Sequence, residues 1–354
     1  MAPSLAPAAG EGHWTDLKQD AIVLGLLLEC ADDFVNGSVL CDKLDVPRAE
    51  LLKRLDSLRS RGYVIQASGG RGYRLVEVPD TVGEREIAPL LATGELGRKI
   101  HSFAELPSTN DEADRLAEEG ALHGEVVIAD VQTQGRGRRG RSWFAPAGKA
   151  LTLSIVLRPP LPPSRAPEIT LVAAVAIAEA ARELGAHHAR IKWPNDIECR
   201  GRKLAGLLTE LRAEPDRIRH AIVGLGFNSS LEMHDFPEEL RSIATSLLVE
   251  SGEKSPRPLV CARLLEHLEE WFSLHETEGF GPVRDRWREL SSTLGRKVRI
   301  TGDAAAGAQG GSGAGAPLEG DAVDLDEDGA LLVRPPGGQN VRVMAGDVEH
   351  CTVL

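Results

Sequence analysis

The spacing of the hydrophobic positions changes twice along the chain, which divides the sequence into three zones. These zones are residues 14–78, 79–290 and 291–354. In the first zone the apolar residues recur at helical intervals, whereas the second alternates strand-like and helix-like segments. The third consists of short strands separated by turns, with no helical pattern. The pattern therefore predicts an α+β protein with three domains.

Two segments fall outside this pattern. Residues 1–13 are rich in Ala and Pro and lack the basic and apolar regions of a signal peptide, so we expect a disordered tail. Residues 302–317 are nearly all Gly, Ala, Ser and Gln, a composition that cannot bury a core, so we expect a disordered insert in the third domain. The longest apolar runs, such as residues 21–28, are much shorter than the roughly 20 residues that span a bilayer, and we expect no membrane role.

The first zone has the element order of a winged helix-turn-helix. Ser38 is expected to cap a short helix, and Pro47 to open a second one. Two short strands follow, joined by a turn at Gly69 and Gly70. The residues expected to face the interior of the two helices are Val39, Leu40, Leu44, Leu51, Leu52, Leu55 and Leu58. Helix, helix and ribbon in this order predict a DNA-binding domain.

The charge of this zone opposes that of the whole chain. The chain has a net charge of -12, which argues against a general polyanion-binding protein. Residues 38–76, however, contain eight Lys or Arg and four Asp or Glu. We expect contacts to DNA phosphates from Arg48, Lys53, Arg54 and Arg71. The alternative is a helical interaction domain whose basic face is merely solvated.

The cysteines indicate neither a disulfide framework nor a metal site. There are five, an odd number, and no two have a C-x-x-C spacing. We expect reduced thiols in a cytoplasmic protein.

The most informative segment is an arginine–glycine run. Positions 135–141 hold four arginines and three glycines, and Trp143 follows. The run contains a formal G-x-G-x-x-G, but a dinucleotide-binding fingerprint requires a following helix, and residues 150–157 have the pattern of a strand instead. Glycine allows close approach of the backbone, arginine offers forked donors to phosphate, and tryptophan offers a flat face to a ring. Together they predict binding of an anionic ligand with an aromatic ring.

Three further segments carry polar residues at expected strand or helix ends. Lys192, Asn195 and Asp196 precede an expected polar turn at residues 198–202, and Lys203 follows it. Pro194 should hold the backbone extended there. Ser108, Thr109 and Asn110 have the pattern of a capping box at a helix N-terminus, where a polar ligand can also bind. Residues 223–228 form a strand with two glycines that ends in Asn228.

These segments, in this order, resemble those of the biotin–protein ligases. The shared motifs are S-T-N, Q-x-x-G-R-G-R-R-G-R-x-W, K-W-P-N-D, K-L-A-G and G-x-G-x-N. An N-terminal winged helix-turn-helix and a small C-terminal β domain look like the bifunctional bacterial form, which is also the repressor of the biotin operon. The resemblance implies a central mixed α/β catalytic domain of the biotin/lipoate ligase type and a C-terminal SH3-like β-barrel.

The resemblance also implies roles for individual residues. Those that would hold the biotin ring system are Ser108, Thr109, Asn110 and Gln132. Those that would close over the carboxylate and phosphates are Gly135, Arg136, Gly137 and Arg138. Those that would line the nucleotide and Mg²⁺ side are Lys192, Asn195 and Asp196, whereas Trp143 and Asn228 would lie near the adenine. Gly206 would also belong to the ligand-binding residues. Lys203 would neutralise the carboxylate and the α-phosphate, and it would share the catalytic role with Arg136 and Arg138. In this family the arginine loop is mobile without ligand.

The implied reaction joins biotin and ATP to biotinyl-5'-AMP and then transfers biotin to a lysine of a biotin carboxyl carrier protein, as in acetyl-CoA carboxylase. Operator DNA and a homodimer of the adenylate-bound form are the other implied partners. Three alternatives stay open: a ligase with a vestigial DNA-binding domain, a lipoate-type protein ligase, and a transcription factor that senses a metabolite without chemistry.

Overall fold

The N-terminal region contains three helices and a two-stranded ribbon. The computed structural model describes residues 11–30, 33–301, 317–344 and 346–350. The first elements are α1 (Glu11–Glu29), α2 (Gly37–Leu44), α3 (Arg48–Ser60), β1 (Val64–Ser68) and β2 (Gly72–Glu77). Because α1 already includes residues 11–13, the predicted tail is too long, and its residues 1–10 lie outside the described residues.

The small core of this region is formed by most of the predicted apolar positions, with two exceptions. Val39 and Leu52 are 43% and 40% exposed, so their predicted inward orientation is wrong, whereas the other five leucines are buried. The predicted cap of α2 is also wrong. Asn36, and not Ser38, occupies the cap position, and its Oδ1 accepts a hydrogen bond of 3.0 Å from the Ser38 N–H.

A seven-stranded sheet forms the centre of the molecule. Its strands are β3 (Ile100–Leu106), β4 (Val126–Gln132), β5 (Ala150–Leu157), β6 (Ala189–Lys192), β7 (Asp196–Cys199), β8 (Arg202–Ala213) and β9 (Ile218–Asn228). The order across the sheet is β3-β4-β5-β9-β8-β7-β6. Only β3 and β4 pair in parallel, and the other neighbours are antiparallel.

Helices cover the two faces of this sheet unequally. The helices of this region are α4 (Glu84–Ile87), α5 (Thr109–Glu118), α6 (Ala166–Glu183), α7 (Leu247–Ser251), α8 (Arg257–Glu278) and α9 (Phe280–Leu290). α6 is rich in Ala, Val and Ile and is buried on nearly all sides, because it packs between the sheet and both α8 and α9. On the opposite face α5 covers only β4, β5 and β9. The uncovered part of that face, over β8 and β9, contains the site described below.

The last region is a five-stranded antiparallel sheet. Its strands are β10 (Lys297–Thr301), β11 (Leu318–Leu325), β12 (Leu331–Arg334), β13 (Val341–Val343) and β14 (Asp347–His350), in the order β13-β12-β11-β10-β14. Its apolar side chains, including Val298 and Leu331, belong to the same core as the central sheet. The predicted insert lies between β10 and β11, and its residues 302–316 lie outside the described residues.

Among the residues that the structure describes, no helix is long and apolar enough to cross a membrane. The four cysteines in this part of the chain have free thiols. Burial raises the pKa of the Cys199 and Cys261 thiols to about 12, so both are protonated at neutral pH.

Candidate active site

The arginine–glycine run folds into a short hairpin between β4 and β5. The Trp143 N–H donates to the Gly135 carbonyl (2.9 Å), Arg136 lies opposite Ser142, and the Gly137 N–H donates to the Arg141 carbonyl (2.7 Å). No α-helix follows the run, as the sequence predicted, and residues 138–140 form only a single 3₁₀ turn. At the tip of the hairpin Arg139 and Gly140 both have positive φ, at 56° and 73°.

The two key arginines of this hairpin are held on opposite sides. Arg136 donates to both carboxylate oxygens of Asp111 on α5, at 2.9 Å and 2.5 Å. Arg138 donates to the Asn195 side-chain oxygen (3.2 Å) and to the carbonyl of Gly346 in the C-terminal sheet (3.1 Å). The hairpin is thus tied both to α5 and to the last domain.

A chain of hydrogen bonds fixes the polar residues at the start of α5. The Gln132 side-chain oxygen accepts from the N–H of Thr109 (2.7 Å) and from its hydroxyl (3.1 Å). The Ser154 hydroxyl lies 2.8 Å from the Thr109 hydroxyl and 2.6 Å from Asn110 Oδ1, and it donates its one proton to either oxygen. The Asn110 amide nitrogen donates in turn to Glu210 (2.6 Å). Ser108 is the N-terminal cap residue but makes no capping bond with its side chain, so the predicted capping box is wrong in that respect.

Two glycines of β9 create space for these groups. A Cβ on Gly224 would lie 2.1 Å from the Asn110 side-chain oxygen, and one on Gly226 would lie 2.3 Å from the Trp143 ring. Any side chain at either position would displace its neighbour. The Trp143 ring therefore packs directly against Gly226, and its buried indole N–H has no acceptor within the described residues. A buried donor without a partner is uncommon in proteins and indicates a place for a ligand acceptor.

Lys203 lies beside both an acid and a ring. Its ammonium is 2.7 Å from Asp196 Oδ1 and 5.5 Å from the centre of the Trp143 ring. The predicted polar turn at residues 198–202 is shorter than expected, because Glu198 and Cys199 belong to β7. A second turn, at residues 193–195, precedes β7, so the backbone is not extended there as predicted. The Trp193–Pro194 peptide is cis.

Nearly all the predicted ligand-binding residues surround one cavity of about 210 Å³. Those that line it are Ser108, Thr109, Asn110, Gln132, Arg136, Gly137, Arg138, Trp143, Asn195, Asp196, Lys203, Gly206 and Asn228. Gly135 lies in the hairpin stem, where a Cβ would approach the Trp143 carbonyl to 3.2 Å. Lys192 does not line the cavity, because it lies at the end of β6, the edge strand of the sheet. The Asn228 amide donates to the Thr245 carbonyl (2.9 Å) and holds the end of β9.

Sequence reasoning missed several residues of the site. Ser154 and Glu210 orient Asn110, and Phe236, Leu240 and Ile243 add an apolar wall. The sequence offered a signal only for Glu210, which lies four residues after the K-L-A-G motif. The apolar wall comes from a loop without a motif, so only the tertiary structure reveals it.

The four residues predicted to contact DNA do not form one exposed set. Arg48 is exposed, and so is Lys53, which pairs with Glu50 at 3.3 Å. Arg71 is 61% exposed and lies 4.5 Å from the centre of the Phe34 ring. The Arg54 side chain, by contrast, is only 9% exposed, because it donates to the buried carboxylate of Asp20 (2.9 Å). Its assignment to the DNA-contacting set is therefore wrong.

Two family models match this chain. That of the biotin/lipoate A/B protein ligase family covers residues 102–228, and that of the biotin protein ligase C-terminal domain covers residues 313–351. The bifunctional ligase/repressor BirA of Bacillus subtilis (strain 168) is 35% identical over 333 residues, which are 94% of this chain and 98% of that protein.

The chain belongs to the biotin–protein ligase family, in its bifunctional ligase/repressor form. The Escherichia coli (strain K12) ligase/repressor BirA is 33% identical and covers 91% of this chain and 95% of its own. Among solved structures, the biotin protein ligase from Aquifex aeolicus in complex with biotin and ATP is 25% identical, with a TM-score of 0.60 over 72% of this chain and all of that one. This chain therefore shares the biotin ligase fold, and it is a ligase.

Proposed function

We propose that this ligase joins biotin to ATP, releases pyrophosphate, and passes biotin from biotinyl-5'-AMP to a lysine of a biotin carboxyl carrier protein. The observation that carries the proposal is the convergence of the Thr109–Asn110–Gln132 group, the arginine hairpin and Lys203 on one cavity. The first group offers fixed amides and hydroxyls to a polar bicyclic ring. The arginine hairpin and Lys203 supply cations at the place where the biotin carboxylate and the ATP phosphates must meet.

The chemistry of the first step is mainly electrostatic. The biotin carboxylate attacks the α-phosphorus of ATP, and both reactants are anions. Repulsion between them and the growing charge at phosphorus form the barrier. Lys203 and Arg138 line the same cavity and are held by Asp196 and by Asn195 with Gly346, so the cations are positioned before the reactants arrive. Preorganised charges of this kind lower the barrier without moving during the reaction.

The second step needs no nucleophile from the enzyme, because the carrier lysine itself attacks the mixed anhydride and displaces AMP. The free thiols agree with this scheme. Cys199 and Cys261 are buried, and their raised pKa keeps them protonated. We infer from the unpaired cysteines a cytoplasmic location, where thiols stay reduced.

The residues at the nucleotide end fit a magnesium ion. Mg²⁺ prefers one or two carboxylates together with water and substrate phosphates, and Asp196 supplies one carboxylate at the cavity wall. No cluster of three His, Cys, Asp or Glu that could hold a metal occurs in the described ranges, so phosphate oxygens would complete the set. When bound, the ion would neutralise phosphate charge.

The experiment that tests the enzymatic proposal is transfer of labelled biotin, with MgATP, to a biotin carboxyl carrier domain. Lipoate and octanoate are run in parallel as competing acids. We expect labelling with biotin alone. Labelling with lipoate instead would favour the lipoate-type alternative, and absence of any labelling together with biotin-dependent DNA binding would favour the sensor.

The regulatory proposal rests on the two flanking regions. We propose that residues 14–78 form a winged helix-turn-helix that binds operator DNA as a dimer of the adenylate-bound form, and that residues 291–354 form an SH3-like barrel around the insert. Two observations support this proposal: α3 follows α2 after a short turn, and β1 and β2 form an antiparallel pair that would be the wing. Residues 79–290 would then be the catalytic domain.

Charge removal at the wing and in the interior should have different effects. We expect Arg71→Ala to weaken DNA binding and to reduce the salt slope of log K by roughly one, because each phosphate contact releases about one counterion. Arg54→Ala should instead destabilise the N-terminal domain, since it leaves the Asp20 carboxylate buried with one partner fewer. The measurements are DNA titrations at several salt concentrations and thermal unfolding. Equal salt slopes for Arg71→Ala and the parent protein would contradict the wing assignment.

A further inference from the structure

Arg136 is held by carboxylates at the mouth of the cavity. Besides its two hydrogen bonds to Asp111, its Nη2 lies 3.6 Å from Glu210 Oε1 on β8. Asp111 directly follows Asn110 on α5, and Glu210 is the acceptor of the Asn110 amide. The guanidinium therefore joins the hairpin to the two elements that hold the ring-binding amide.

This pairing makes Arg136 a poor source of positive charge for a phosphate. Two carboxylates already neutralise much of its positive charge, and they would repel an approaching anion. The hydrogen bonds with Asp111 raise the pKa of Arg136 above its ordinary value, so the guanidinium stays charged. Arg138, which lies two residues farther along the hairpin, donates to the neutral oxygens of Asn195 and Gly346.

The two arginines thus differ in what they can do. Arg136, Arg138 and Lys203 all line the cavity, but Arg136 ties the hairpin stem to α5, whereas Arg138 ties it to Asn195 and to the last domain. The hairpin includes Trp143 and other residues that line the cavity. The cavity can therefore open on this side only if the ion pair between Arg136 and Asp111 breaks.

We propose that Asp111 is a positioning residue that clasps the arginine hairpin to α5 through Arg136, and that it thereby slows release of the acyl-adenylate before the carrier lysine arrives. The inference rests on the proposed function, because the acyl-adenylate is the intermediate that the hairpin would enclose. It limits the role of Arg136 to closure, whereas the family resemblance also implied a share in catalysis.

The expected effect is modest, because the pair is partly solvated. The Arg136 and Asp111 side chains are 40% and 55% exposed. Pairs with such exposure contribute little, although bidentate geometry places this one towards the upper end. We expect Asp111→Asn to accelerate release of the acyl-adenylate about two- to fivefold, with formation of the adenylate nearly unchanged.

The test is a chase experiment on the full-length ligase. The enzyme forms the adenylate from labelled biotin and MgATP, excess unlabelled biotin is added, and loss of label from the protein is followed over time. Glu119→Gln is the matched control, because Glu119 pairs with Arg115 on the same helix but does not touch the hairpin. Asp111→Glu keeps the charge and should restore slow release.

Salt gives a second readout, one that a merely structural role of Asp111 would not change. Screening should accelerate release from the parent protein but not from Asp111→Asn, where no ion pair remains to be screened. Release at the parental rate from Asp111→Asn, or equal acceleration by Glu119→Gln, would refute the proposed positioning role of Asp111. If the parent protein forms no acyl-adenylate at all, the proposed function itself fails, which is a distinct result.

Discussion

Replacement of Lys203 by Ala is expected to slow adenylate formation on the order of 10²–10³-fold, the typical cost of removing one preorganised electrostatic group. The Lys203 ammonium is the cation that Asp196 and Trp143 hold at the centre of the cavity wall. Its loss removes positive charge where two anions must approach, and it leaves the Asp196 carboxylate without that partner. The measurement is pyrophosphate release from MgATP in the presence of biotin.

Two variants make this prediction specific. Lys203→Arg keeps the charge and should recover part of the rate. Lys99→Ala removes another paired lysine, whose ammonium lies 3.0 Å from Glu125 and which does not line the cavity, and it should leave the rate unchanged. If Lys203→Ala retained more than about a tenth of the parental rate, the catalytic role of Lys203 would be refuted.

Substitutions at the two cavity glycines should raise the KM values of different substrates. We expect Gly224→Ala to raise the KM for biotin, because its Cβ would collide with the Asn110 amide, which Ser154 and Glu210 hold in place. Gly226→Ala should raise the KM for ATP, because its Cβ would displace Trp143 from the adenine side. Displacement of a buried polar or stacking group costs about 1–3 kcal/mol, which corresponds to roughly a 5- to 150-fold change.

Each variant is the control for the other, since the two positions lie two residues apart on β9 and point to the same face. Steady-state kinetics with biotin and ATP varied in turn give the two KM values, and thermal unfolding reports whether the sheet is intact. A rise in the same KM for both variants, with similar unfolding temperatures, would show that the cavity is not divided between ring and nucleotide as proposed.

The central alternation of strands and helices was predictable because burial imposes a fixed period on each element. The strand at residues 150–157 was predicted within its observed bounds, since all eight of its residues are buried and apolar or small. Errors occurred where local patterns compete. Val39 and Leu52 have helical spacing but lie on the exposed side, because a small three-helix core cannot cover every apolar position.

The sequence by itself determined the family, the motifs and most members of the site, because each motif is a local run whose residue types fit one kind of chemistry. Tertiary structure alone decided how these runs meet. Residues 108–110 and 132 become one group only because α5 packs over β4 and β5, and Gly224 and Gly226 matter only because Asn110 and Trp143 lie against them. The roles of Arg54 and Arg136 also depend on their pairing with Asp20 and Asp111. These carboxylates are distant in sequence, and no spacing rule connects them to the arginines. Tertiary packing decides which charges pair across the fold, and local sequence patterns do not predict that packing.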